Sequence, residues 1–248
     1  MKPKKMILVT GDSSGGKTLL SRFIAEHTYL TTNSSALVID ADEKPGLSKM
    51  TKAGQGVTRH RLRHRDDLRA INQLMNGKTL GWVDIMGSAR EFISDSFRDI
   101  ADMADAGIFV IPIILIGDRG SAVSEAVQWL KYFAPLPTCY IVHNPKTKLS
   151  EEHKAEFKKR TDQLKGPKNR PILTLPPLDA PVAIELERIG CPLSEIIDGK
   201  IKCIDSELLA DSLTMIDVRT WQRKMLIATQ PLLDEVNASL ILESGNKA

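Results

Sequence analysis

Aromatic residues make up only 5% of the chain, and there are three cysteines in 248 residues. Cys139, Cys191 and Cys203 lie far apart, with no C-x-x-C among them. That set excludes a disulfide framework or a zinc knuckle and fits reduced thiols filling apolar space in a cytosol. Charge of one sign is also scarce in excess: the net charge is +3. The chain as a whole is no polycation, so any nucleic-acid contact must come from local patches. Long apolar runs are missing too. The longest extends from Ile108 to Ile116 with Pro112 inside it, well short of the ~20 residues of a membrane span. The opening MKPKKMILVTGD puts basic residues ahead of apolar ones, as a signal peptide does. Its apolar part covers only residues 6–9 before a glycine-rich loop, so a first strand is expected instead. A soluble, cytoplasmic protein is the expectation, without internal repeats or low-complexity segments.

What is there is an ordinary globular composition, 42% apolar and 26% charged, at a length that suits one large α/β domain with a small appendage. Apolar β-rich runs alternate with helix-period patterns. Strands are expected over 5–10, 36–40, 81–85, 107–116, 138–143 and 170–175. Helices are expected over 18–29, 66–75, 92–103, 121–133, 151–164 and 180–189, each with apolar residues on one face. This alternation predicts parallel pairing, and near-continuous apolar runs such as IFVIPIILI predict a sheet covered on both faces. Two regions break the pattern. Residues 43–65 are polar, with Gly46, Gly54 and Gly56. Residues 203–248 read as helix after the sheet is complete, with Pro231 as an expected break. They are read either as helices packed on the sheet or as a surface for a partner.

The stretch with the clearest chemistry is GDSSGGKT, Gly11 to Thr18, which matches G-x-x-x-x-G-K-[ST]. Average residue frequencies give about a one per cent chance of such a match in a chain of this length. The loop also follows a strand (MILVT) and opens a helix, as its mechanism requires. Glycines 11, 15 and 16 let main-chain N–H groups converge on phosphate oxygens, around Asp12, Ser13 and Ser14. The next helix offers its positive end. Lys17 is expected to reach the terminal phosphates and the Thr18 hydroxyl to ligate Mg²⁺. The carboxylates a magnesium site needs are expected at strand ends: Asp40 and Asp42 in ALVIDAD, and Asp84 in GWVDIMG. Asp84 is expected to hold the ion through water and Asp42 to orient the attacking water. Residues 1–200 are thus expected to form the nucleotide-binding domain, with 201–248 a helical extension packed on it.

The series GDSSGGKT, ALVIDAD, GWVDIMG, GIFVIPI, YIVHN and PPLDAPVAIELERIGCPLSEI resembles, in order, the ParA/MinD branch of P-loop ATPases, with plasmid stability proteins of the StbB type as the nearest setting. The resemblance implies a three-layer α/β/α P-loop NTPase fold with a mostly parallel twisted sheet and extra C-terminal helices. It implies ATP and Mg²⁺ as cofactors, slow ATP hydrolysis and a homodimer formed in the ATP state. It places Asn144 against the base and Pro177 in the segment lining the base pocket. Asp12 departs from it, since the family carries a lysine there that crosses the dimer. An acid facing the phosphates must point away or bond its own loop. Lys44, Lys49 or an arginine is then expected to supply the missing cation, at the cost of slower hydrolysis or a different dimer.

RHRLRHR puts Arg59, Arg61, Arg63 and Arg65 at alternate positions, which share one side of an extended segment. Its expected roles are a solvated loop, a contact to DNA backbone or a contact to an acidic protein partner. Without interleaved aromatics, base stacking is not expected, and any DNA contact should be sequence-independent and weakened by salt. The residues 153–160 read as a solvated helix. Two rival functions stay open: a small-molecule kinase or ligase with RHRLRHR as a lid, and a GTP-dependent switch suggested by D-x-x-G at Asp84 to Gly87. The guanine-reading N-K-x-D is missing from HNPKTK.

Overall fold

In the computed structural model of the chain, the described residues are 4–11, 16–32, 37–41, 57–59, 80–85, 107–118, 121–134, 136–145, 155, 157–159, 161–162, 164, 172–189, 193–199 and 206–244. The helices expected over 66–75 and 92–103 lie outside them. The strands are β1 (Lys4–Gly11), β2 (Leu37–Ala41), β3 (Val57–Arg59), β4 (Leu80–Ile85), β5 (Ile108–Ile116), β6 (Tyr140–His143) and β7 (Ile172–Thr174). The helices are α1 (Lys17–Thr32), α2 (Ala122–Tyr132), α3 (Ala180–Ile189), α4 (Leu193–Ile197), α5 (Glu207–Ala210) and α6 (Ser212–Ser244). Residues 155, 157–159, 161–162 and 164 are also helical.

The strands form one sheet in the order β3-β2-β4-β1-β5-β6-β7, with every pairing parallel. β1 is the centre, between β4 and β5, and both its faces are buried. Its side chains alternate between two cores, as the two-residue period of a strand dictates. Met6 and Leu8 face a core shared with Trp129, Phe133 and Leu164. Ile7 and Val9 face a core shared with Leu20, Phe23, Leu186, Trp221 and Met225. β5 repeats this, with even residues such as Ile114 on the first side and odd residues such as Ile113 on the second. Helices therefore cover both faces: α2, with the helical residues Phe157 and Leu164, on one, and α1, α3, α4, α5 and α6 on the other. Full burial of each such aliphatic side chain contributes about 2 kcal/mol.

Two prolines sit inside elements. Pro112 pairs with Leu8 within β5, and the β6 ladder starts only at Ile113. Beside Pro112 the strand is laddered on one side alone, where a missing N–H costs least. Pro231 lies inside α6, so the expected break does not occur. The carbonyl its missing N–H leaves behind belongs to Ile227, whose side chain is 77% exposed, so water can take the orphan acceptor. On the opposite side Met225, Leu232, Leu233 and Val236 are buried and hold the helix to the core. The short edge strand β3 was not expected, and it falls inside the polar 43–65 region.

Because Pro231 is exposed, Pro231→Ala should restore a helical hydrogen bond without disturbing packing. The thermal midpoint should rise, by the equivalent of about 1 kcal/mol. A fall in the midpoint would show that the proline's bend is needed by the core.

Candidate functional site

The carboxyl ends of the parallel strands form one edge, and the chain's direction of travel reverses across it at β1. From β1 the chain goes to β2 and β3 on one side, then returns through β4 to β5, β6 and β7 on the other. Ligands of open parallel sheets bind at such a reversal.

β1 ends on Gly11 at φ 118°. A Cβ there would run into the main-chain carbonyl of Leu115 at the end of β5. Only glycine allows the two backbones to lie this close in this conformation. Residues 12–15, with Asp12, Ser13, Ser14 and Gly15, lie outside the described residues. The chain resumes at Gly16, φ 78°, whose carbonyl accepts the first helical bond of α1 from Leu20 N at 3.0 Å. A Cβ on Gly16 would collide with the Asn144 side-chain amide. Asn144 stands at the end of β6, its N–H donating to Ile116 O at 3.0 Å. The last glycine of the loop and the asparagine of YIVHN are thus neighbours in space.

Lys17 and Thr18 occupy the first turn of α1, where main-chain N–H groups have no helical partner. Lys17 is buried, at 5% exposure. The Thr18 hydroxyl donates to Asp84 Oδ2 at 3.3 Å. Asp84 is buried on β4, directly beside Val9 of β1. A hydroxyl and a carboxylate at this distance are the oxygen donors a hard divalent cation takes. Asp40 holds the register position next to Asp84 on β2. Asp42 lies outside the described residues, as do Arg61, Arg63 and Arg65. Arg59 ends β3, at the register position of Asp40. Pro177 is exposed in the stretch between β7 and α3. That stretch begins at the same edge, where Leu175 N donates to His143 O at 2.8 Å, and Pro176 O accepts from Trp221 Nε1 at 3.1 Å.

Three groups near the site escaped the sequence reading: Asp118, Arg22 and Glu26. His143 Nε2 donates to Asp118 Oδ1 across 3.1 Å, and its ring stacks on Phe157 at 3.7 Å. Burial holds this imidazole below its usual value of 6.5, and Asp118 pulls it partly back. Arg22 and Glu26, both buried in α1, form an ion pair at 3.0 Å. A signal for this pair existed. Leu19, Arg22, Phe23 and Glu26 stand at i, i+3, i+4 and i+7, so both charges share the inward stripe.

Two outcomes follow from this geometry. Gly11→Ala should lower stability by about 3 kcal/mol, from backbone strain and overpacking together, read as a denaturant midpoint; an unchanged midpoint would mean β5 yields freely. For His143, a lowered folded value means that the unfolded chain binds more protons below about pH 6.5. Stability must therefore fall on acidification through that value. The wild-type thermal midpoint should drop from about pH 7 to about pH 5.5 more steeply than that of His143→Gln. Parallel curves would show that His143 is not held neutral by the fold.

No protein-family model matches the sequence, and no curated protein matches it. Solved structures do. The chain is similar to a McdA–ATP complex from Cyanothece, with TM-score 0.57 and 12% identity over 93% of this chain and 98% of that one. It is similar to a chain of the MinC:MinD cell division protein complex of Aquifex aeolicus, with TM-score 0.54 and 14% identity over 90% and 95%. A putative plasmid partition protein of Borrelia burgdorferi bound to AMPPNP gives TM-score 0.51 and 12% identity over 88% and 99%. At these identities the likeness is one of architecture, and the chain has the ParA/MinD-like P-loop fold.

Proposed function

We propose that this chain is an ATP-binding molecular switch whose nucleotide state sets dimerisation and, through it, contact with a partner. The observation that carries this reading is the meeting of Gly16, Thr18, Asp84 and Asn144 at the carboxyl edge. The residues fit a nucleotide phosphate with its metal: a positive-φ glycine, the first turn of a helix, a buried lysine and an oxygen pair. Two of the structural neighbours are complexes with ATP and AMPPNP, which supports a triphosphate as the ligand. Main-chain N–H groups of 11–16 would hold the phosphates, Lys17 would neutralise their terminal charge, and Thr18, Asp84 and Asp40 would hold Mg²⁺, which supplies further neutralisation. Asp42 would orient water for a slow hydrolysis. Asn144 and Pro177 would contribute on the base side. Residues 1–200 would form the nucleotide-binding unit, with 201–248 its helical extension.

The partner reading rests on charge. Arg59, Arg61, Arg63 and Arg65 would take DNA backbone or an acidic protein, in plasmid partition, stability or conjugative transfer. One neighbour is a plasmid partition protein. Among the described residues no helix is long and apolar enough to cross a membrane, which fits a cytoplasmic setting.

Calorimetry should register ATP–Mg²⁺ binding, and Lys17→Ala should weaken it at least about tenfold, or about 1.4 kcal/mol. Size-exclusion with light scattering should show a dimer with ATP–Mg²⁺ and a monomer with ADP or no nucleotide. Binding without a change of mass in any state would overturn the switch; GTP outcompeting ATP would overturn the choice of base.

A further inference from the structure

The ion pair of Arg22 and Glu26 does more than join two residues of one helix. In an isolated helix a basic residue four positions before an acidic one is the less favourable order, and two charges inside a core are costly to desolvate. Yet Arg22 is 1% exposed and Glu26 is 6% exposed. Their outward bonds show what they hold. Arg22 Nη1 donates to Leu186 O at 2.8 Å. Leu186 lies in the last turn of α3, where carbonyls lack helical donors and a cation is favoured. Glu26 Oε1 accepts from Leu193 N at 2.9 Å, and Oε2 from Ser194 N at 3.2 Å. Those are the first N–H groups of α4, where an anion is favoured. One ion pair on α1 therefore satisfies the end of one helix and the start of the next, with the sign each end requires.

α1 is also the helix whose first turn carries Lys17 and Thr18. α3 is the helix entered from Pro176 to Asp179, on the strand edge beside His143 and Asn144. Arg22 follows Thr18 by one helical turn. We infer that Arg22 and Glu26 are positioning residues that lock the phosphate-loop helix to α3 and α4, so that the segment after β7 is held at a fixed distance from the phosphate loop and reads the nucleoside. This inference rests on the nucleotide reading above. It adds a specific division of labour: the loop grips phosphate by itself, whereas recognition of the base and sugar depends on the buried pair.

The test compares ATP with inorganic tripolyphosphate, each with Mg²⁺, by calorimetry. Glu26→Gln and Arg22→Met should weaken ATP about tenfold while leaving tripolyphosphate within about twofold of wild type. The swapped double variant Arg22→Glu/Glu26→Arg keeps an ion pair but offers the wrong sign to both helix ends, and it should not recover ATP binding. Circular dichroism and the thermal midpoint identify variants that are folded at the assay temperature. Arg22→Lys/Glu26→Asp, which keeps both signs, should recover part of the ATP affinity and serves where the single variants fail to fold. Equal losses for both ligands in folded variants, unchanged ATP affinity, or rescue by the swapped pair would each overturn the inference while leaving nucleotide binding intact. Wild type binding neither ligand would overturn the functional reading itself, and the inference with it.

Discussion

The close approach of two main chains, Gly11 of β1 and Leu115 of β5, sets the geometry on which the rest depends. β1 has a strand on each side and a packed core on each face, so its last residue has no free direction in which to place a side chain. A glycine there lets the strand stay paired up to its end. That end lies at the centre of the sheet, where the chain reverses its direction of travel and open parallel sheets take their ligands. The acid of β4 and the asparagine that follows β6 lie on opposite sides of β1. Neither is near the loop in sequence. Both are brought there by parallel register, which puts Asp84 level with Val9 and His143 level with Ile116.

A second constraint is the burial of charge. Lys17, Arg22, Glu26 and Asp84 are all buried on or beside one helix and strand. A buried charge persists only where bonds replace its hydration. For Glu26 the replacement is complete enough to count: one guanidinium N–H and two consecutive main-chain N–H groups. For Arg22, Nε donates to Glu26 and Nη1 to the carbonyl of Leu186. Breaking such a buried pair by removing one partner strands the other charge, a loss of about 3–5 kcal/mol.

The sheet was legible in the sequence because two-sided burial writes uninterrupted apolar runs, and β1, β4, β5 and β6 read that way. The placing of GDSSGGKT between the end of β1 and the start of α1 was legible because it joins an apolar run to a helix-period one. What escaped depends on partners distant in sequence. β3 is three residues long and lies in a polar stretch, where no period can be seen. Pro231 predicts a break from local rules, but its exposed side lets water replace the lost donor and its buried side keeps the helix in place. The nearness of Asn144 to Gly16 follows only from the order β1-β5-β6. The Arg22–Glu26 stripe was visible at helical spacing, but a charged pair at i,i+4 ordinarily sits in solvent.

The same register bears on the arginine ribbon. Arg59 stands level with Asp40, and Asp40 level with Asp84, so the ribbon starts on the sheet row that carries both acids. Two strand spacings separate the main chain of Arg59 from that of Asp84, about 10 Å. That span is longer than the screening length of about 8 Å at physiological salt, so register alone does not couple a charge on β3 to one on β4 across solvent. Asp40, on the strand between them, is the residue whose register links the two.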